Sequence, residues 1–197
     1  MKTTTDDGKR RCAWAGNKPF YVAYHDDEWG RPVRRDRGHF ELLCLEGAQA
    51  GLSWETVLKK REHYRRVFHQ FDIGRCAELE DSYLDTALLD PGIIRNRLKV
   101  YSVRDNAQAM LAVRQEFGSF NAYVWSYVDG EPLINRWRRM TEVPASTRIS
   151  DALSKDLKKR GFKFVGSTII YAYMQAAGLV CDHTMDCFRH PDNLAEK

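Results

Sequence analysis

Apolar side chains recur at helical spacing along most of the chain, whereas the alternating pattern of a half-buried strand is scarce. This spacing predicts helices over residues 38–50, 54–68, 76–89, 95–117, 119–128, 150–160 and 167–177. Glycine or proline interrupts the pattern at Gly51, Pro91, Gly92, Gly118, Gly130, Pro144, Gly161 and Gly178. The sequence contains no internal repeat and no low-complexity linker, so we expect one all-α domain.

The segment 167–177 is apolar on nearly every side, which is typical of a central core helix. Ser167 or Thr168 is suited to cap its start, and Gly178 follows its end, where a glycine closes many helices. We expect the domain to span residues 12–190. Polar tails are expected at 1–11 and 191–197.

The composition and the distribution of charge indicate which class of partner the protein binds. The 197 residues are 43% hydrophobic and 29% charged, with a net charge of +4, as in ordinary globular proteins. No signal peptide or membrane-spanning run is evident, so we expect a cytoplasmic monomer without a membrane partner. Each basic cluster alone is most simply a solvated helix face, but their recurrence favours a polyanion partner. The clusters are Arg34/Arg35/Arg37, Lys59/Lys60/Arg61, Arg95/Arg97/Lys99, Arg136/Arg138/Arg139 and Lys158/Lys159/Arg160.

One carboxylate lies inside an otherwise uncharged segment. In ELLCLEGAQAGLSW, residues 41–54, Glu46 is the only ionisable carboxylate from Leu42 to Trp54, and the surrounding helix is apolar on all sides. Burial of a carboxylate costs several kcal/mol unless a partner compensates it. Glu46 is therefore either paired with an internal cation or reserved for a ligand.

A short turn between two predicted helices is a candidate anion site. LLDPGIIR, residues 88–95, joins them with a proline and a glycine, as in an αα-hairpin or a helix–turn–helix. Arg95, Arg97 and Lys99 follow, at the start of a helix whose free N–H groups attract anions. Such hairpins are common, so a purely structural role is an equal alternative.

Two cysteines and two histidines near the chain ends have the composition of a closed zinc site. Cys12 and His25 lie near the N-terminus, and His183 and Cys187 are one helical turn apart near the C-terminus. Such a set is structural rather than catalytic. Cys181 offers a further thiol, and each of these residues alone would be explained by simple burial.

Aromatic residues are concentrated in WAGNKPFYVAYHDDEWG, residues 14–30. An aromatic cluster is more often part of a core than of a site. Tyrosine and tryptophan outnumber phenylalanine here, however, and these residues need a polar partner when they are buried. They also form stacking surfaces for flat rings.

The motifs YHDDEWG, LCLEGAQAGLSW, LKKRGFKFVGSTI and DHxxxC, which span about Cys12 to Cys187, resemble the 3-methyladenine DNA glycosylase I family. The resemblance implies a helix-hairpin-helix fold, with the hairpin within about residues 80–105. It also implies an enzyme that flips 3-methyladenine out of alkylated duplex DNA and releases it by hydrolysis, without cutting the strand. No organic cofactor is implied, and free 3-methyladenine is the expected product.

The resemblance assigns roles to individual residues. It makes Glu46 the catalytic carboxylate that contacts the flipped base, with Trp54, Tyr24 and Tyr21 around it. Leu52, preceded by Gly51, is implied to fill the gap in the duplex, while Gly92, Arg95 and Arg97 contact the DNA backbone. The implied ligands of one structural zinc are Cys12, His25, His183 and Cys187. The sequence departs from the family pattern at Ala48 and Cys181, where glutamine and asparagine are common in the family.

These assignments explain why an acid lies in an apolar helix. The 3-methyladenine base is cationic, and aromatic faces with one carboxylate favour a cation. An unmodified adenine leaves that carboxylate unpaired. A charged leaving base needs no protonation, so one carboxylate suffices where glycosidases generally use two.

Two other classes remain as alternatives. A zinc-containing DNA-binding module without catalysis explains the basic clusters but not Glu46. A metal-dependent phosphohydrolase or nuclease would use His25-Asp26 and Asp182-His183, but it needs an open, oxygen-rich metal site. The signatures of zinc deaminases are absent from the sequence.

Overall fold

The computed structural model describes residues 7–194. Ten α-helices lie in this range: α1 Pro19–Asp27, α2 Asp36–Gln49, α3 Trp54–Val67, α4 Ile73–Ala77, α5 Asp81–Ala87, α6 Arg97–Phe117, α7 Phe120–Trp125, α8 Arg148–Lys159, α9 Ser167–Ala176 and α10 Pro191–Leu194. The prediction of a mainly helical protein is confirmed. None of the described helices is long and apolar enough to cross a membrane.

One short strand pair, which periodicity did not predict, accompanies the helices. Strands β1, Leu133–Ile134, and β2, Val180–Cys181, pair in parallel, with Leu133 opposite Val180. Two residues are too few to produce an alternating pattern. The pair holds the 133–142 segment beside the C-terminal part of the domain.

Helix α2 occupies the centre of the fold, a place that the sequence analysis assigned to segment 167–177. It packs against α3, α6, α7 and α9, whereas α9 packs mainly against α2 and α8. Residues 42–48 of α2 are all buried. Glu46 thus lies within a continuous buried stretch of this helix.

Several boundaries differ from the predicted ones for local reasons. The predicted helix 76–89 is two helices, because the main chain breaks at 78–80 and Arg104 donates to the Leu79 carbonyl, 2.8 Å away. Helix α6 begins at Arg97 because the Asn96 side chain accepts from the Lys99 amide. The predicted helix 119–128 ends at Trp125 and continues as a 3₁₀ turn over 126–128.

The start of α9 is also different from the prediction. Gly166 is the N-cap residue, and Ser167 is the first helical residue. The Ser167 hydroxyl bonds to Asp151 on α8 instead of capping its own helix. Gly178 follows the helix with a φ of 70°, as expected for a closing glycine.

The segments expected to be tails are partly structured within the described range. Arg11 is 7% exposed, and its guanidinium lies 2.6 Å from Asp26. In the C-terminal segment, α10 is held by an ion pair of Asp192 with Arg136, at 3.1 Å. Residues 1–6 and 195–197 lie outside the described residues, and the division into one domain with two tails stays a prediction.

Candidate base-binding pocket and metal centre

A cavity of about 280 Å³ brings together every residue that the sequence analysis assigned to base binding. Helix α1 supplies Tyr21 and Tyr24, α2 supplies Glu46, and Trp54 begins α3. The complete lining is Trp14, Tyr21, Tyr24, Trp29, Glu46, Gln49, Trp54, Met140, Ala172 and Gln175. The cavity therefore collects side chains from distant parts of the sequence around a single acid.

Glu46 has no internal partner among the described residues. Its side chain is 4% exposed, it forms no ion pair in this part of the chain, and its Oε2 atom accepts no hydrogen bond. Burial raises the pKa of Glu46 from its usual 4.5 to about 8. A buried carboxylate without a cation destabilises the free protein, which favours a ligand role over a structural one.

Aromatic rings form the walls of the cavity. Tyr24 and Trp54 have ring centroids 5.5 Å apart, and Trp14 lies 5.3 Å from Tyr21 and 5.0 Å from Trp29. Burial first, and the Glu46 carboxylate second, raise the pKa of Tyr24 well above its usual value. The walls are therefore neutral at physiological pH, and Glu46 is the only acidic side chain in the lining.

The buried polar atoms that lack a hydrogen-bond partner belong to residues around this cavity. Among the described residues, the buried side-chain nitrogens and oxygens without a hydrogen-bond partner are Trp14 Nε1, Glu46 Oε2 and Trp54 Nε1. All three residues line this cavity. Native proteins satisfy nearly all such groups, so a cluster of exceptions indicates a site completed by a ligand. A flat ring with both donors and acceptors would satisfy them.

The predicted metal ligands form one buried cluster. The side chains of Cys12, His25, His183 and Cys187 are buried, and their ligand atoms all lie within 4.8 Å of one another. Cys187 Sγ is 3.5 Å from both His25 Nε2 and His183 Nδ1. Tetrahedral zinc with bonds of about 2.0–2.3 Å places neighbouring ligand atoms about 3.3–3.8 Å apart. The donor set, and the 3.5 Å separations of Cys187 from both histidines, therefore fit a closed zinc site.

Groups around the cluster orient its histidines. His25 Nδ1 lies 2.8 Å from Asp26 Oδ1, and Asp26 is held in turn by Arg11. His183 Nε2 lies 3.2 Å from the Trp29 carbonyl oxygen. These contacts leave one nitrogen of each ring for the cluster, as around protein-bound metals. Cys181 lies in β2 and is not part of the described cluster.

The turn between α2 and α3 exposes Leu52, the residue predicted to fill the gap in the duplex. Gly51 has a φ of +76°, a conformation that side-chain-bearing residues rarely adopt. Leu52 is 42% exposed, and its amide donates to the Gln49 carbonyl at 2.6 Å. Ser53 then caps α3 through the Thr56 amide. A short, hydrogen-bonded turn thus carries an exposed leucine a few residues after Glu46.

The turn between α5 and α6 packs tightly on α3. A Cβ atom on Gly92 would lie 2.0 Å from the His63 ring, so a larger residue there would have to displace that ring. Lys60 donates to the Pro91 carbonyl at 2.6 Å. Lys99 donates to the carbonyls of Ala48 and Ala50, at 2.9 and 2.6 Å, and thereby links this turn to the end of α2.

The two arginines of this turn have different surroundings. Arg95 is exposed and forms no ion pair within the described part of the chain. Arg97 pairs with Asp85, and its guanidinium lies 2.7 Å from the Tyr101 hydroxyl. Arg97 would have to exchange Asp85 for a phosphate, whereas Arg95 is available as it stands.

Comparison with known proteins assigns this architecture to a family. The model of the methyladenine glycosylase family matches residues 14–190. The chain is 50% identical to DNA-3-methyladenine glycosylase 1 of Escherichia coli K12, over 93% of this chain and 98% of that protein.

The chain belongs to the methyladenine glycosylase family.

Solved structures of glycosylases in this family have the same fold. A crystal structure of a 3-methyladenine DNA glycosylase I superposes with a TM-score of 0.90 and 54% identity, covering 92% of this chain and 100% of the other. A structure from Staphylococcus aureus, which describes 3-methyladenine recognition, has a TM-score of 0.89 and 36% identity, with coverage of 92% and 96%.

Part of the glycosylase pocket was not assigned from the sequence. Trp14 and Trp29 lie in the aromatic stretch that was noted, but no role was given to them. Met140 and Gln175 were missed, because nothing in their local patterns indicates a site. Gln49 was missed as well, although it lies one helical turn after Glu46.

The carboxylates that a nuclease would use to bind a metal have other hydrogen-bond partners in this glycosylase. Asp26 is held by Arg11 and His25, and Asp182 is fully buried among four hydrogen-bond donors. Neither belongs to the described cluster of potential metal ligands. The oxygen-rich metal site of that alternative is therefore not formed by these residues.

Proposed function

We propose that this protein flips 3-methyladenine out of alkylated duplex DNA and hydrolyses its N-glycosidic bond without cutting the strand. The observation that carries the proposal is the unpartnered carboxylate of Glu46 in a cavity walled by aromatic rings. The names of the bacterial relatives, and a structure describing 3-methyladenine recognition, support the same substrate.

The chemistry follows from the charge of the base. In DNA, 3-methyladenine carries a positive charge, so it leaves without being protonated by the enzyme. Burial keeps Glu46 largely protonated near neutral pH in the free protein. A cation within the cavity lowers the pKa of Glu46 again, so binding of the base releases the proton and forms an ion pair. The tyrosine and tryptophan faces add cation–π attraction.

Selection against normal bases uses the same features. A neutral adenine leaves Glu46 protonated or unpaired, and it gains less from the aromatic faces. Extrusion of a nucleotide costs a few kcal/mol, least for a damaged base pair. Leu52, exposed on the turn after α2, would occupy the gap in the duplex and offset part of that cost.

The turn between α5 and α6 would serve as the hairpin of a helix-hairpin-helix glycosylase fold. Gly92 packs against the His63 ring, and the exposed Arg95 would contact a phosphate. Arg97 would contribute after release from Asp85. These contacts are independent of sequence, as repair of scattered lesions requires.

The Cys–His cluster would bind one structural zinc ion. Cys12 and His25 from one end of the chain, and His183 and Cys187 from the other, would hold it, and zinc would contribute to folding stability. The described cluster includes no carboxylate, and none of its four residues lines the cavity around Glu46, so it is separate from the reacting base. No organic cofactor enters the proposal.

Base release from methylated duplex DNA tests the function. Chromatography of the released bases should show free 3-methyladenine in the presence of a chelator that removes loosely bound magnesium, while the strands remain intact on a denaturing gel. The Glu46→Gln variant is the matched control for contaminating activity. Strand cleavage without free base, or release of 7-methylguanine alone, would refute the proposal.

A further inference from the structure

Among the described residues that line the cavity, Gln175 is the one whose side chain is oriented by a hydrogen bond to a completely buried residue. Its Nε2 atom donates to Asp182 Oδ2 at 2.7 Å. Asp182 is completely buried, and its Oδ1 atom accepts from the indole of Trp137 at 2.8 Å. Tyr171 donates to Oδ2 at 2.6 Å. The side chain of Gln175 is thus anchored from outside the cavity.

These contacts determine which end of the amide is free. The structure places the Nε2 atom of Gln175, the donor end of its amide, on a carboxylate oxygen of Asp182, so the carbonyl oxygen of Gln175 faces away from Asp182. The carbonyl oxygen of Gln175 then has no partner among the described residues, and the side chain lines the cavity, where that oxygen is accessible. The cavity consequently offers a neutral acceptor from α9 in addition to the carboxylate of Glu46 on α2.

A pair of acceptors selects between purines. Adenine carries an exocyclic amino group with two N–H donors, whereas guanine has a carbonyl acceptor at the same ring position. An acceptor held in place leaves a facing carbonyl without a donor, and such mismatches in a dry site are strongly disfavoured.

We propose that Gln175, held by Asp182, is a specificity-determining residue that accepts a hydrogen bond from the exocyclic amino group of the flipped base and thereby disfavours 3-methylguanine. This inference rests on the proposed function and goes beyond it, because charge recognition by Glu46 does not distinguish one methylated cationic purine from another.

The test is the ratio of 3-methyladenine to 3-methylguanine released from the same methylated DNA. Gln175→Met keeps the length of the side chain but removes the acceptor. It should lower kcat/KM for 3-methyladenine about 10-fold, the loss expected for one buried hydrogen bond. The release of 3-methylguanine should be unchanged or faster, so that the ratio falls at least severalfold. Gln175→Leu should act in the same direction.

Tyr171→Phe is the matched control, because it removes a hydrogen bond to the same Asp182 oxygen from a residue outside the cavity lining. It should leave the ratio as in the wild type. An unchanged ratio in Gln175→Met and Gln175→Leu, with both rates lowered equally, would overturn the role of Gln175 and leave the proposed function intact. A wild-type protein that releases no methylated base would instead refute the proposed function.

Discussion

Replacing Glu46 with glutamine separates a ligand role from a structural one. The pKa of Glu46 rises from 4.5 in the unfolded chain to about 8 in the folded protein. Between these values the unfolded chain is ionised while the folded protein holds the proton, so the free energy of unfolding falls as pH rises through this window. Each pH unit costs about 1.4 kcal/mol, which amounts to roughly 3 kcal/mol at pH 7.

Glu46→Gln removes this penalty, because the amide carries no charge at any pH. Urea unfolding at pH 5 and pH 8 should show that the variant gains stability over the wild type as pH rises. Titration with free 3-methyladenine, at a pH low enough for the free base to carry a proton and hence a positive charge, should show the opposite effect on binding. The affinity should fall by roughly 1–3 kcal/mol, the value of one charge-assisted hydrogen bond.

The combination of the two results is decisive. Greater stability with weaker binding identifies Glu46 as a residue kept for its ligand at a cost in folding free energy. Marked destabilisation with unchanged affinity would mean that Glu46 stabilises the fold through an internal partner, and the reasoning would be refuted. Trp54→Ala is a suitable comparison, since it should weaken binding through lost stacking without changing the pH dependence of stability.

The remaining predictions concern pH, metal and DNA. The kcat/KM of base release should rise with pH towards about 8 and then level off, because the ionised form of Glu46 pairs with the cation. The pH profile of Glu46→Gln should lack this rise. Elemental analysis should find one zinc per chain in the wild type and in Cys181→Ala. The Cys187→Ala variant should lose the zinc and have a lower Tm, and full zinc occupancy in that variant would disprove the ligand set. Leu52→Ala should weaken binding to lesion DNA selectively, whereas Arg95→Ala should weaken binding to all duplexes and reduce the salt dependence by about one released counterion. Equal weakening of binding to damaged and undamaged DNA by Leu52→Ala would contradict the assignment of Leu52 to the gap in the duplex.

The sequence was most informative where a residue conflicts with its local environment. Glu46 was noticed because an acid is unexpected in a helix that is apolar on all sides, and the structure places it unpartnered in a cavity. The four residues of the Cys–His cluster were found from residue type and spacing, since two cysteines and two histidines near the chain ends have the composition of a closed zinc site. Both inferences needed only short-range patterns and the costs of burial.

Features that depend on long-range packing were not predictable. Gln175 joins the cavity because α9 packs against α2, and its fixed orientation depends on Asp182, which lies beyond the end of that helix. The ion pair of Arg97 with Asp85 joins α5 and α6 across the turn, and no periodicity indicates it. Helix α1 was missed because its aromatic and acidic residues form no apolar stripe.

The most direct test of the central claim is titration of free 3-methyladenine into the wild-type protein, followed by tryptophan fluorescence. Trp14, Trp29 and Trp54 line the cavity, so binding there should change their emission. The account predicts saturable one-to-one binding of 3-methyladenine and much weaker binding of adenine. No fluorescence change with 3-methyladenine, or equal affinity for adenine, would contradict a pocket built to recognise the methylated base.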